Sequence, residues 1–158
     1  MRLDRTDFAI LEALQENARL SNKELAARVG VAPSTCLERV RRLVSAGAIR
    51  GYRTDVNPEV FGIGVQAMIA VRLLQHAKLS FDRLESELLG LREVISLYFL
   101  TGAQDLLIHV AVRDVAHLRD VLQRLTSRED VAHVETSLVF EFARASVMPN
   151  YRAPPESS

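Results

Sequence analysis

Tryptophan is absent from this chain, and only 6% of its 158 residues are aromatic. That excludes the stacking platforms on which single-stranded nucleic acids are usually held. Cysteine occurs once, at Cys36, so neither an intrachain disulfide nor a cysteine zinc cluster can form. Cys36 is expected to be a buried structural thiol. No apolar run reaches ~18 residues, the length that suggests a membrane span. The opening Met1-Arg2-Leu3-Asp4-Arg5 lacks the apolar region of a signal peptide. Together these absences predict a cytoplasmic protein with no membrane partner. Metal-ligand spacing is missing among His76, His109, His117 and His133, and His109 reads as a satisfied strand residue. No glycine-rich phosphate loop, nucleophile elbow or paired-carboxylate motif occurs. The expectation is therefore no catalytic residue, no metal and no cofactor.

What is present describes a globular chain: 48% hydrophobic and 25% charged residues can bury a core. Net charge is zero, but it is unevenly spread. Residues 1–55 hold 10 basic and 7 acidic side chains, a balance of +3, and the remainder carries −3. Between Arg28 and Arg53, six arginines face Glu38 alone. A basic block on an acidic remainder points to a polyanion-binding module joined to something else.

The first 57 residues carry helix punctuation. Asp4 is placed to cap a helix running to about Asn17, with Phe8, Leu11, Leu14 and Ile10 as its apolar side. Ser21-Asn22-Lys23-Glu24 is a capping box opening a second helix, which packs through Leu25 and Val29 and which Gly30 ends. Pro33 fits the first turn of a third helix, stopped by Gly47. Ile49 to Val56 reads as a two-stranded hairpin. Helices with a tight turn followed by a hairpin make a winged helix-turn-helix. On the third helix, 100° steps place Leu37, Val40 and Val44 inward, with Leu43 at the edge. Ser34, Thr35, Glu38, Arg39, Arg41 and Arg42 then face outward, available to the major groove of double-stranded DNA. Arg50 and Arg53 of the hairpin would lie along the flanking phosphates.

Residues 58–64, with Pro58 and Gly62-Ile63-Gly64, form the expected linker. From Val65 to residue 145 the pattern changes to β-α-β-β-α-β, a ferredoxin-like α+β domain. Its strands are expected at Val65–Leu74, Val94–Thr101, Asp105–Arg113 and Val131–Phe142, and its helices at Leu79–Leu89 and Val115–Ser127. The alternation puts Ala67, Ile69 and Val71 under the helices; in the last strand, if Thr136, Leu138 and Phe140 point to the helices, Ser137 and Val139 point away. The other face, with Gln66, Met68, Ala70, Arg72 and Leu74 beside Leu107, His109 and Ala111, is half apolar and carries less charge than a solvated face, which predicts a homodimer with sheet packed on sheet. Residues 146–158 form a tail, whose end is expected to be disordered.

These residues resemble the Lrp/AsnC family of feast/famine transcription regulators. Leu3-Asp4-Arg5-Thr6-Asp7 is similar to its opening signature. Cys36-Leu37-Glu38-Arg39-Val40-Arg41-Arg42-Leu43 is similar to its recognition-helix motif. Thr101-Gly102-Ala103-Gln104-Asp105 resembles the Gly-x-x-Asp turn of its effector domain. The chain departs from the family at Ala32, where Ser commonly precedes Pro, so that Ser34 or Thr35 would have to cap the helix instead. The resemblance implies a DNA-binding regulator, not an enzyme, assembling from dimers to octamers on the nucleoid. It implies a small effector, an amino acid or related metabolite, held by Thr101, Gly102, Ala103, Gln104 and Asp105, with Thr136 nearby. Two other readings stay open. One is a ligand-blind architectural DNA binder. The other is an enzyme like the siroheme decarboxylases, which share the two-domain architecture but have no need of a basic recognition face.

Overall fold

The computed structural model describes residues 2–75 and 81–152, and it divides into two compact units. The first comprises residues 1–55 with the segment from Ala143 onward, and the second comprises Val56–Phe142.

The first unit is built from α1 (Arg5–Glu16), α2 (Asn22–Val29) and α3 (Pro33–Ser45). Asp4 caps α1 and Ser21 caps α2. Each completes a reciprocal capping box, with Asp7 and Glu24 reaching back to the cap amides. Such boxes satisfy donors that would otherwise be orphaned at the helix start. Gly30 ends α2 at φ 71°, a left-handed conformation that favours glycine. Pro33 opens α3, but Ala32 supplies no side-chain cap, and neither Ser34 nor Thr35 replaces it.

The core of this unit is Ile10, Ala13, Leu25, Ala26, Cys36 and Leu43. Two expectations change here. The most buried side of α1 is Asp7, Ile10 and Ala13, while Phe8, Leu11 and Leu14 are only partly covered. On α3 the inward stripe is Cys36 and Leu43, one heptad apart, and Leu37 and Val44 are 40% and 46% exposed. Cys36 thus lies at the centre of the packing, and burial pushes its thiol pKa up. The wing is a third correction. Residues 50–57 carry no strand and are exposed throughout; partial burial begins at Pro58 in the turn that follows. A two-stranded ribbon is marginal alone, and the exposed Arg50, Tyr52, Arg53 and Asp55 bring no apolar face to dock it.

The tail returns to α1. Met148 N–H donates to Gln15 Oε1 at 3.0 Å, and Val147, Met148 and Pro149 line a groove with Phe8 and Leu11.

The second unit opens with a 3₁₀ turn, Pro58–Phe61, and continues as β1 (Val65–Leu73), α4 (Phe81–Leu89), β2 (Val94–Phe99), β3 (Leu106–Val112), α5 (Val115–Thr126) and β4 (Val131–Val139). The start expected for α4 at Leu79 lies outside the described residues. The sheet is antiparallel in the order β2-β3-β1-β4, the ferredoxin-like arrangement. β4 ends at Val139, three residues before the expected Phe142. Ala67, Ile69, Val71, Leu106, Ile108 and Val110 are buried on one face, under Leu84 and Leu88 of α4 and Leu118, Val121 and Leu125 of α5.

Glu93, just before β2, ties this layer together. It accepts from Arg124 of α5 at 2.5 Å and from His117 Nε2 at 3.1 Å. Burial raises its pKa, but the bonds from Arg124, its own backbone amide and His117 outweigh burial and hold it at about 2. Its folded value lies below the unfolded one. The stabilisation is therefore complete above the ordinary carboxylate range and lost as pH falls from there toward 2. Urea titrations should show Glu93→Gln less stable than the parent at pH 6, with the gap closing as pH falls to 2. A second constraint is the approach of Gly64 to β3: a Cβ there would lie 2.4 Å from the Arg113 carbonyl oxygen. Gly64→Ala should cost about 1–3 kcal/mol, read as a lower urea midpoint at unchanged slope.

Candidate nucleic-acid interface and effector loop

The interface begins with a buried carboxylate. Asp7 is the only charged residue in the buried cores of the described residues, and it is fully buried. Its Oδ1 accepts from Arg39 Nη1 at 2.9 Å, and its two oxygens accept from Arg42 Nη2 at 2.9 and 2.8 Å. Oδ2 also takes the Asp4 amide at 3.1 Å. Arg39 makes a further pair with Asp4 at 2.7 Å, which holds the Asp4 carboxyl below its usual range. These bonds clamp α3 to the start of α1.

The clamp changes what the basic face can do. Arg39 and Arg42, expected to face outward, are directed onto α1, and their side chains are 24% and 50% exposed. Arg28 is paired with Glu16. Ser34, Thr35, Glu38 and Arg41 remain exposed along α3, and Arg50 and Arg53 on the segment after it. Among the described residues, no carboxylate lies within ion-pair distance of Arg41, Arg50 or Arg53. Among the described residues, three guanidiniums without an acidic partner are thus exposed on α3 and the segment after it, and an α-helix is of the size that enters a major groove.

Sequence reasoning missed Asp7 as the organiser of this site. A signal existed: Asp7 sits one turn before Ile10 on the buried side of α1, where an acid needs a cation.

The second site is the β2–β3 turn. Gly102 adopts φ 117°, in the region that favours glycine, and a Cβ there would meet nothing within 4 Å. Its need is thus backbone conformation rather than close packing within this chain. Asp105 holds the turn to β1: Oδ2 accepts the Leu73 amide at 2.8 Å, and the Asp105 amide donates to the Val71 carbonyl at 2.9 Å. Arg72 Nε donates to the Ala103 carbonyl at 3.0 Å. Thr101, Gly102 and Ala103 are exposed, and Gln104 and Asp105 are half-buried. Gln104 Nε2 reaches Glu135 at 3.5 Å, while its Oε1 is buried without a partner. Thr136 pairs with Ile69 in the sheet, so it shares the helix-covered face. Glu135, one residue earlier, is on the face that Gln104 reaches. Within one chain the fold does not bring Thr136 to the turn.

His109 sits on the open sheet face, its Nε2 2.9 Å from Gln66 Oε1 and its ring 6.3 Å from that of Phe142. Burial lowers its pKa.

A helix-turn-helix unit with unpaired arginines, followed by a ferredoxin-like domain with a glycine turn, defines a class: DNA-binding regulators with an attached ligand domain. Comparison with known proteins agrees. Residues 3–50 match the family model for winged helix-turn-helix DNA-binding domains, and residues 66–146 match that for the Lrp/AsnC ligand binding domain. The HTH-type transcriptional regulator AldR of Mycobacterium tuberculosis is 45% identical over 145 residues, covering 91% of this chain and 81% of AldR. The crystal structure of the transcriptional regulator NMB0573 from Neisseria meningitidis, a complex with L-Met, superposes with a TM-score of 0.81 at 35% identity, covering 91% of this chain and 94% of that one. E. coli AsnC gives a TM-score of 0.77 at 33% identity, covering 95% and 98%. The chain belongs to the Lrp/AsnC family and is a ligand-responsive, DNA-binding transcription regulator.

The clamp yields a measurable outcome. Asp7→Ala removes the buried acceptor shared by Arg39, Arg42 and the Asp4 amide and should cost about 3 kcal/mol. Arg42→Ala, removing a half-exposed partner, should cost about 1 kcal/mol. Chemical denaturation followed by circular dichroism would rank them; equal costs would deny Asp7 its central place.

Proposed function

We propose that this regulator senses an amino acid or closely related metabolite at the β2–β3 turn and transmits its binding to DNA contacts made by α3. The observation that carries the effector reading is the Gly102 turn. It is exposed at Thr101–Ala103, pinned to β1 by Asp105, and flanked by the unsatisfied Gln104 oxygen. A buried acceptor without a partner costs free energy that a ligand ammonium would recover. Exposed backbone amides of the turn would suit the carboxylate. Asp105 acts first on the shape of the turn. The L-Met complex of the Neisseria relative supports the ligand class.

On the DNA side, Ser34, Thr35, Glu38 and Arg41 are assigned to the groove, and Arg50 and Arg53 to flanking phosphates. Arg39 and Arg42 are reassigned to positioning the helix through Asp7. The protein works as a homodimer through the open sheet face, where Met68, Ala70, Leu107, Ala111 and Val139 are half-buried and Tyr98, on the edge strand beside Leu107, is half-exposed. By resemblance the dimers assemble further, to octamers, and Thr136 would join an effector site only across such an interface. A regulator of this kind acts in the cytoplasm, on the nucleoid, and the relatives' names support a regulator rather than an enzyme. Among the described residues no helix is long and apolar enough to cross a membrane. Linkage is the mechanism: an effector that prefers one assembly shifts the population, and DNA affinity follows.

Selection from random duplex DNA should enrich a pseudo-palindrome with half-sites about one helical turn apart, or a multiple of it. No retention of DNA even at low salt would sink the reading. On the enriched site, Arg41→Ala should weaken binding and reduce the salt slope by about one if its contact is to phosphate, whereas an unchanged affinity removes Arg41 from the interface. A thermal-shift screen of the twenty amino acids should find a saturable rise for the effector. Gly102→Val should keep DNA binding and lose that response; a normal response would move the effector site elsewhere.

A further inference from the structure

We infer that Leu37 is a base-reading residue that recognises the C5 methyl of a thymine in each half-site, beside the contact made by Arg41. The inference rests on the DNA-binding reading and adds to it a specificity element.

Leu37 belongs to the recognition helix, and an ordinary helix would bury it. Here the inward direction of α3 is fixed independently by two observations. Cys36 and Leu43 are fully buried, and Arg39 and Arg42 are bonded to Asp7. With that rotation set, 100° steps carry Leu37, Arg41 and Val44 onto one exposed ridge, spaced i, i+4, i+7. Leu37 is 40% exposed and Val44 46%.

The ridge is not merely a solvated flank. Single exposed leucines are ordinary on protein surfaces. This one lies in the second turn of α3, the part of a recognition helix that meets base edges. It shares its ridge with a guanidinium that has no acidic partner. A basic, partly apolar ridge has complementary chemistry in the major groove. The guanine O6/N7 pair suits Arg41, and the only apolar group that unmodified bases display there is the thymine methyl. Leu37 has no hydrogen-bonding atoms, so any sequence information it carries comes from that methyl. The rise between Leu37 and Arg41 is about 6 Å, against about 3.4 Å per base-pair step. The thymine and guanine should therefore fall within about two base pairs of each other.

The test uses the full-length protein and its selected duplex, with each thymine replaced in turn by deoxyuridine, which pairs identically but lacks the methyl. Wild-type protein should lose about fourfold in affinity at one thymine per half-site, the worth of one buried methyl group. Leu37→Ala should bind the thymine and deoxyuridine duplexes alike at that position while keeping its salt dependence. Because Leu37 lies outside the core, Leu37→Ala should keep its helical circular dichroism. If it does not, Leu37→Gln, which keeps the length, takes its place and should lose the thymine from its own selected sequence. Wild type indifferent to every methyl overturns the inference while leaving DNA binding intact. So does a Leu37→Ala or Leu37→Gln protein that keeps the discrimination. Absence of duplex binding at low salt would instead remove the DNA-binding reading on which it stands.

Discussion

The first unit depends on how one carboxylate is accommodated inside it. Burying Asp7 is costly unless every oxygen finds a donor, and it finds two guanidiniums from α3 and the amide of Asp4. The acid belongs to α1 and both bases to α3, so the bonds fix the rotation of one helix against the other. A non-directional apolar contact would tolerate a slip of the helix about its axis, whereas hydrogen-bonded ion pairs with defined geometry do not. Which residues α3 leaves on its exposed side is therefore decided by these ion pairs.

The second unit uses a carboxylate differently. Asp105 accepts a backbone amide from β1 while its own amide donates back to the same strand. The turn it closes is thus as firmly placed as the sheet. A loop on a rigid strand pair is a good platform for a ligand, because little ordering remains to be done on binding. The remaining flexibility in polar pairing lies with Gln104, whose amide meets Glu135 while its carbonyl oxygen waits unsatisfied.

Much of this architecture was legible because it is written locally. The Asp4 cap, the Ser21 capping box, the Gly30 stop and Pro33 involve neighbours within a few residues, and each appears where the sequence places it. The alternation in β1 identified its buried face for the same reason. The rotation of α3 was not legible. Hydrophobicity ranks Leu37 and Val44 above Cys36, and the Arg39 and Arg42 beside Cys36 make that side look polar. Only the partner 32 and 35 residues away shows why the polar side faces in. The hairpin after α3 failed for a related reason: β-compatible residues were present, but nothing packs on them. Thr136 illustrates a third limit. Its position in β4 was read correctly, but its distance from the turn depends on strand order and face, which one strand cannot reveal.

The chain's closing segment belongs to the same compact unit as its first helix, joined by Met148 to Gln15. On the ribosome, the three helices emerge first, yet the groove beside Phe8 and Leu11 stays open until β4 and the residues after it have been made. The DNA-binding unit is thus complete only when translation of the sheet is finished. A truncated product lacking the sheet's last strand would also lack the segment that packs on α1.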